Sequence, residues 1–255
     1  MKMKRMTVLG FVCATVFLGA SALATPTPQQ RCDYARITAW KVYTSCIDAV
    51  AAKAAKGVSF DWMAPFAQCR HTYFKKWPAF QSKPALAGST CIGSRYTDNG
   101  DQTVTDKLSG LTWEKKDKAG GIHDPSAYSY NWCIGSSWRE NGSLFTTFLA
   151  TLNSDGFGGA NGWRIPTLPE LQTIVLDFPC KGTFGGPGCA CPSKPCVDPT
   201  LDASNTPFDF PYWTATKYLA SDDYSIWDVG FDDGGVGYDI CASSSDYFRA
   251  VRGGL

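Results

Sequence analysis

The sequence predicts an α+β protein built in two parts, and three observations carry that prediction. Residues 30–80 are dense in good helix formers, residues from 93 onward run in short alternating stretches broken by turn signals, and an even set of cysteines is spread over both parts. The elements follow in chain order.

The chain opens Met1-Lys2-Met3-Lys4-Arg5, continues in an apolar run from Val8 to Ala20, and reaches the small-residue stretch Ser21-Ala22-Leu23-Ala24. A basic start, a short apolar core and an A-x-A site at Ala22 and Ala24 mark residues 1–24 as a secretory signal peptide. The run is shorter than the roughly 20 residues of a spanning helix, and Thr25-Pro26-Thr27-Pro28 stops a helix directly after it. No later segment is apolar enough to span, so no transmembrane segment is expected. The protein is placed outside the cytoplasm, in the periplasm, at the cell surface or in the medium.

Of the 24 lysines and arginines and 23 acids, three bases leave with the signal, so the mature chain carries about −2. That balance gives no general reason to expect nucleic acid or an anionic membrane as partner. The charge is uneven, because Asp198 to Asp246 holds ten Asp and one base, Lys217. Such a stretch favours cations or a basic protein partner over sulfated or phosphorylated ligands. Ten cysteines remain once Cys13 has gone, an even number that reads in an exported chain as a disulfide framework.

Residues 30–80 form a helical hairpin. The first helix ends at Gly57; the second starts near Ser59 or Asp61 as cap and runs to about Lys76, where Pro78 interrupts it. With the tip near Val58, Cys46 lies twelve residues before it and Cys69 eleven after, side by side in an antiparallel pair. Cys32, further from the tip, then faces the segment after the second helix, where Cys91 is the nearest thiol. A connector, residues 81–92, leads into a domain of residues 93–254. There Tyr96 to Asp106 reads as a β-hairpin turning at Asn99-Gly100, and Leu111-Thr112-Trp113-Glu114 as a strand after the turn at Ser109-Gly110. Ser143 to Asn153 shows one apolar helix face, and Leu168 to Leu176 a second short helix. Ile226 to Tyr238 alternates and turns at Asp233-Gly234-Gly235, and Tyr247 to Arg252 is a closing strand.

Four blocks stand in order in this second part. They are Arg95 to Asp106 with Gly110-Leu111-Thr112-Trp113; Gly162-Trp163-Arg164-Ile165-Pro166-Thr167 with Glu170-Leu171; Tyr212-Trp213-Thr214-Ala215-Thr216; and Trp227-Asp228-Val229-Gly230-Phe231 through to Arg249-Ala250-Val251-Arg252-Gly253. Together they closely resemble the DUF1566 family, the Lcl C-terminal domain of the Legionella collagen-like adhesin, over about residues 93 to 254. The resemblance implies a C-type-lectin-like domain of twisted antiparallel sheets with two flanking helices, related in outline to formylglycine-generating enzymes. For the adhesin it implies a trimer that binds sulfated glycosaminoglycans. The chain departs from the pattern at Ala250, where the family commonly has Cys. The pairing of Cys133, Cys180, Cys189, Cys191, Cys196 and Cys241 therefore stays open.

Each candidate site has a bland counterpart. Asp98-Asn99-Gly100-Asp101 offers oxygens for calcium, but EF-hand spacing fails and a hairpin turn accounts for the run. The acidic loops at Asp222-Asp223 and Asp232-Asp233 are the better calcium candidate, and calcium is the one cofactor the sequence admits. Trp227-Asp228-Val229 only partly echoes the Trp-Asn-Asp strand of calcium-dependent lectins. Trp163 reads as core, with Arg164 satisfying nearby carboxylates or carbonyls. Cys189-Ala190-Cys191 with Cys180 and Cys196 reads as disulfides before zinc, because C-x-C lacks knuckle spacing. His71 and His123 form no metal pair, and no nucleophile, base or phosphate-cradling motif is present, so no enzyme is expected. The expected function is an exported, non-catalytic binding module for carbohydrate or another surface polymer, serving adhesion or an envelope role. Its ligand loops carry Tyr218, Tyr224 and Tyr238, exposed beside Asp222, Asp223, Asp232 and Asp233. Basic candidates for an anionic polymer are thin: Lys75, Lys76, Lys115, Lys116, Lys118, Arg139 and Arg164. Two alternatives remain: a structural or protein-interaction module of an envelope complex, and an enzyme of the formylglycine-generating type.

Overall fold

A computed structural model describes residues 25–56, 62–125, 130–135, 137–177, 191, 193–201, 207, 210–220, 223–243 and 246–255. The expected signal peptide, the hairpin tip with Ser59 and Asp61, and Cys180, Cys189 and Asp222 lie outside these residues.

Helix α1, Pro28–Ala54, starts at Thr27, whose hydroxyl accepts from the Gln30 N–H while the Gln30 side chain accepts from the Thr27 N–H. This capping box, with Pro28 in the first turn where no N–H is missed, fixes the start. Helix α2, Met63–Phe74, packs antiparallel to α1 and is followed directly by α3, Lys76–Gln81. Pro78 falls in the first turn of α3, which is why the chain breaks and restarts there instead of ending. Cys46 and Cys69 are joined with Cα atoms 5.8 Å apart, and Cys32 and Cys91 with Cα atoms 5.7 Å apart. The stretch expected to act as a linker is part of the core. Leu86 and Cys91 are buried, the Trp77 indole N–H donates to the Gly93 carbonyl, and the Gln81 amide bonds both Cys91 and Gly93.

Two antiparallel sheets follow. The first has the order β1 (Tyr96–Asp98), β2 (Thr103–Asp106), β3 (Leu111–Glu114), β7 (Val251–Gly253), and the second the order β4 (Tyr212–Lys217), β5 (Ser225–Val229), β6 (Val236–Ile240). The strand at Trp113 pairs directly with the closing strand, Trp113 opposite Val251. The turn between β1 and β2 is longer than the two residues that Asn-Gly predicts. β1 ends at Asp98 and β2 begins at Thr103, leaving 99–102 as the loop, with Gly100 and Gln102 both at positive φ. Its carboxylates are consumed locally: Asp98 accepts from the Gly100 N–H and from Lys115, and Asp101 accepts from the backbone and hydroxyl of Thr103.

Between the sheets, Leu144–Leu149 is π-helical and runs into α4, Ala150–Ser154, burying Leu144, Phe148, Leu149 and Leu152 on the face the sequence marked. Helix α5, Leu168–Gln172, has a capping box between Thr167 and Glu170. The closing segment is not one strand. Tyr247 bridges Tyr212 in parallel on the second sheet, and only Val251–Gly253 joins the first, so this one segment stitches the two sheets together.

The hairpin shares one core with both sheets. Tyr43 and Tyr73 stack at 4.5 Å, the Tyr43 hydroxyl donates to the Pro169 carbonyl at 2.7 Å, and Trp227 of β5 is met edge-on by Trp62 and Phe66. A second core gathers Trp132, Phe148, Trp163, Trp213 and Phe248 around the Cys133–Cys241 bond.

At the centre lies Glu114, fully buried. Its carboxylate accepts from Lys116 at 2.8 Å, from His123 at 2.9 Å and from the Ala250 N–H at 2.9 Å, and Arg249 donates to its carbonyl at 2.7 Å. Burial would raise its pKa, but the Lys116 charge, the His123 hydrogen bond and charge, and the Ala250 N–H outweigh that and hold the carboxyl below its ordinary 4.5. Stability from this shift is complete above pH 4.5 and is lost as pH falls through the lowered folded value. Glu114→Gln removes the buried charge that Lys116 and His123 meet and is expected to cost about 3–5 kcal/mol at neutral pH. Chemical unfolding followed against pH checks this: the wild type should lose stability below pH 4.5 more steeply than the variant.

Candidate functional site

The β5–β6 hairpin carries the site, and its register explains the arrangement. Residues opposite one another in an antiparallel pair share a face, so Trp227 with Tyr238 and Val229 with Val236 point toward the hairpin helices, while Asp228 with Gly237 and Ile226 with Asp239 point the other way. On that second face Asp228 is also opposite Trp213 of β4. Asp246, in the segment that returns past Tyr130, completes a group of three. One carboxylate oxygen from each of Asp228, Asp239 and Asp246 lies within 4.8 Å of the others.

Two of these carboxyls are withdrawn from water, Asp228 at 4% exposed and Asp246 at 3%, while Asp239 is half-buried. Burial first, then the charges of Asp246 and Asp239, push Asp228 up to about 8, against a hydrogen bond from the Gly237 N–H that works the other way. Burial and the Asp239 carboxylate push Asp246 up to about 8 as well. No lysine or arginine is among the groups that shift either one, and among the described residues no ion pair reaches them.

Asp228, alone of the three, also lines a cleft of about 280 Å³ whose walls include Met63, Phe210, Pro211, Asp232 and Asp233. Phe210 is 54% exposed and leans edge-on against Tyr247. The β5–β6 turn shapes the other wall: Gly230 donates to the Gly235 carbonyl, the Gly235 N–H donates to Asp233, and Gly234 takes a positive φ of 78°. Asp233 is raised above its ordinary value chiefly by burial and by its neighbour Asp232.

The residues picked from sequence do not form one site. Asp232 and Asp233 line this cleft. Asp223, which accepts from the Ser225 hydroxyl, and Tyr224, which packs edge-on against Trp138, sit at the far end of β5, and five residues of extended chain keep the two ends roughly 13 Å apart. Tyr218 is only 6% exposed, because it stacks at 4.0 Å on Tyr238 and meets Trp227 edge-on; Tyr238 itself is 41% exposed. The expectation that all three tyrosines stand in solvent beside the acids therefore fails for Tyr218. Sequence reading missed Asp228, Asp239 and Asp246 as a set. Alternation from the Asp233-Gly234-Gly235 turn puts the first two on one face, but nothing local brings in Asp246.

The basic candidates are largely spent on structure. Lys116 is buried on Glu114, Lys115 pairs with Asp98, and Arg164 makes a two-pronged pair with Glu170 at 2.6 Å. Trp163 is 3% exposed and belongs to the second core.

The family model of the Lcl C-terminal domain matches residues 102–252, more than half of the chain. This chain belongs to the Lcl C-terminal domain family. No curated protein and no solved structure matches it.

Gly237 sets the packing of the cluster. A Cβ there would lie 2.9 Å from Asp228 Oδ1, too close for either to stay in place. Gly237→Ala is expected to lower stability by about 1–3 kcal/mol. Chemical unfolding in chelator, with a double-mutant cycle to Asp228→Ala, checks that the loss arises at this contact: the two changes together should cost less than their sum.

Proposed function

We propose that this protein is an exported, non-catalytic binding module that holds a neutral carbohydrate or another uncharged surface polymer in the acidic cleft beside β5 and β6, in an adhesion or envelope role. The carrying observation is the make-up of that cleft. An exposed ring, Phe210, stands with Pro211 and Met63 beside the carboxylates Asp232 and Asp233. Sugar rings have apolar faces that pack on aromatic rings and hydroxyls that donate to carboxylates, and this lining offers both. Membership in the Lcl C-terminal domain family supports an adhesin-related module. Four disulfides among the described residues, and the absence there of a helix long and apolar enough to cross a membrane, support export.

The negative lining disfavours the sulfated polymers that the resemblance implies for the adhesin, because like charges repel and Lys115, Lys116 and Arg164 are already paired. Neutral ligands avoid that penalty.

A glycan array read with purified protein tests this. Phe210→Ala and Asp233→Asn should each weaken the strongest hit by about tenfold, and added salt should matter little. Affinity that instead falls steeply with salt and follows Lys75, Lys76, Lys118 and Arg139 would restore the sulfated-polymer reading.

A further inference from the structure

We propose that Asp228, Asp239 and Asp246 bind a hard divalent cation, calcium above all, between β5, β6 and the segment that leads into β7. The site is distinct from the loop acids that sequence alone singled out for calcium, and it does not depend on the identity of the polymer ligand.

Two independent observations meet here. The first is convergence: one oxygen from each carboxylate lies within 4.8 Å of the other two. Calcium takes oxygens at about 2.3–2.6 Å, so ligands on opposite sides of one ion stand about 4.6–5.2 Å apart, and three oxygens within this spread fit a single coordination sphere. Magnesium, at about 2.0–2.1 Å, needs a tighter set. The second is an unmet bonding capacity. Asp246 is 3% exposed, yet its Oδ2 has no hydrogen-bond partner, although a buried carboxylate oxygen left unbonded is costly. A cation at the centre of the three supplies the missing partner.

Access and shape agree. Asp228 and Gly237 both line the open cleft, so an ion reaches the cluster from solvent without unfolding. Gly237 leaves room on the strand opposite Asp228 for that carboxylate to turn inward, and its N–H holds one of the oxygens. All three donors are carboxylates, the chemistry that selects calcium, magnesium or manganese over zinc or copper. Because the ligands come from two strands and the return segment, the bound ion would lock the β5–β6 hairpin to the segment that also bridges the second sheet at Tyr247. The cleft wall would be set by the ion.

The test uses the mature chain stripped with chelator. Calorimetric titration with calcium should give one saturable site, and thermal unfolding at a hundredfold excess over Kd should rise by about 5 °C or more. Asp246→Asn and Asp239→Asn keep the side-chain shape while removing the charge, and each should weaken calcium by about tenfold or more. Terbium gives a second reading on the unaltered chain. Its emission should be sensitised by Trp213, which sits opposite Asp228, and calcium should displace it. Absence of heat, of a melting shift and of terbium emission at millimolar calcium, magnesium and manganese would overturn the proposal and leave three carboxyls sharing protons. Calcium binding untouched by Asp228→Asn, Asp239→Asn and Asp246→Asn would overturn it too, by placing the ion elsewhere.

Discussion

The two ends of the sheet-bearing region are held together by one buried carboxylate. Glu114 closes β3, and the groups it satisfies come from two different stretches: Lys116 and His123 from the loop after it, and the Ala250 N–H from the closing segment. Arg249, itself fully buried, reaches the Glu114 carbonyl and the Leu201 carbonyl from the other side. A charge at this depth is stable only with its partners in place, so the strand, the loop and the closing segment must assemble together or not at all. Residues 249–250 are the point where the chain passes from the second sheet, at Tyr247, to the first, at Val251. Fixing them fixes how the sheets meet, and through Asp246 it fixes the acidic cluster as well.

The same logic recurs elsewhere in the chain. Arg95 makes a two-pronged bond to Asp106, donates to the Thr173 carbonyl, and lies 4.3 Å over the ring of Phe74, so a single guanidinium joins β1, β2, the end of α5 and the helical hairpin. Asp106 in turn accepts from the Leu108 N–H and the Ser109 hydroxyl and so holds the turn into β3. Arg164 and Glu170 repeat the device at α5, where Glu170 also completes the cap on Thr167. In each case a planar donor matched to a carboxylate sets angle as well as distance, which is what a fold with short strands and long loops lacks.

The helical hairpin is more than an appendage. Its apolar face covers Trp227 and packs against α5 through Tyr43, so the outward face of β5 is buried by helices and the inward face by the second core. Every residue of β5 is consequently buried, acid included. That double cover explains how Asp228 comes to lie in an environment where burial dominates its titration. The Cys46–Cys69 and Cys32–Cys91 bonds tie the hairpin to itself and to the segment leading into β1, limiting how far the unfolded chain can expand.

The sequence by itself determined the local and the periodic: the helical hairpin and the pairing of its cysteines from equal distances to the tip, the face of Ser143 to Asn153 that is buried, the strand at Trp113, and the family from four ordered blocks. These follow from spacing along the chain, which is visible without coordinates. Its errors arose where distant segments compete. The Asn99-Gly100 turn widened because Asp98 and Asp101 capture backbone and hydroxyl donors around it, the connector became core because Cys91 draws it under the helices, and Tyr218 was covered by Tyr238 and Trp227. Only the tertiary structure decided the site. Asp228 and Asp239 share a face by register, but Asp246 joins them through a return path that no local pattern encodes, and the burial of Asp228 and Asp246 is a property of the whole fold.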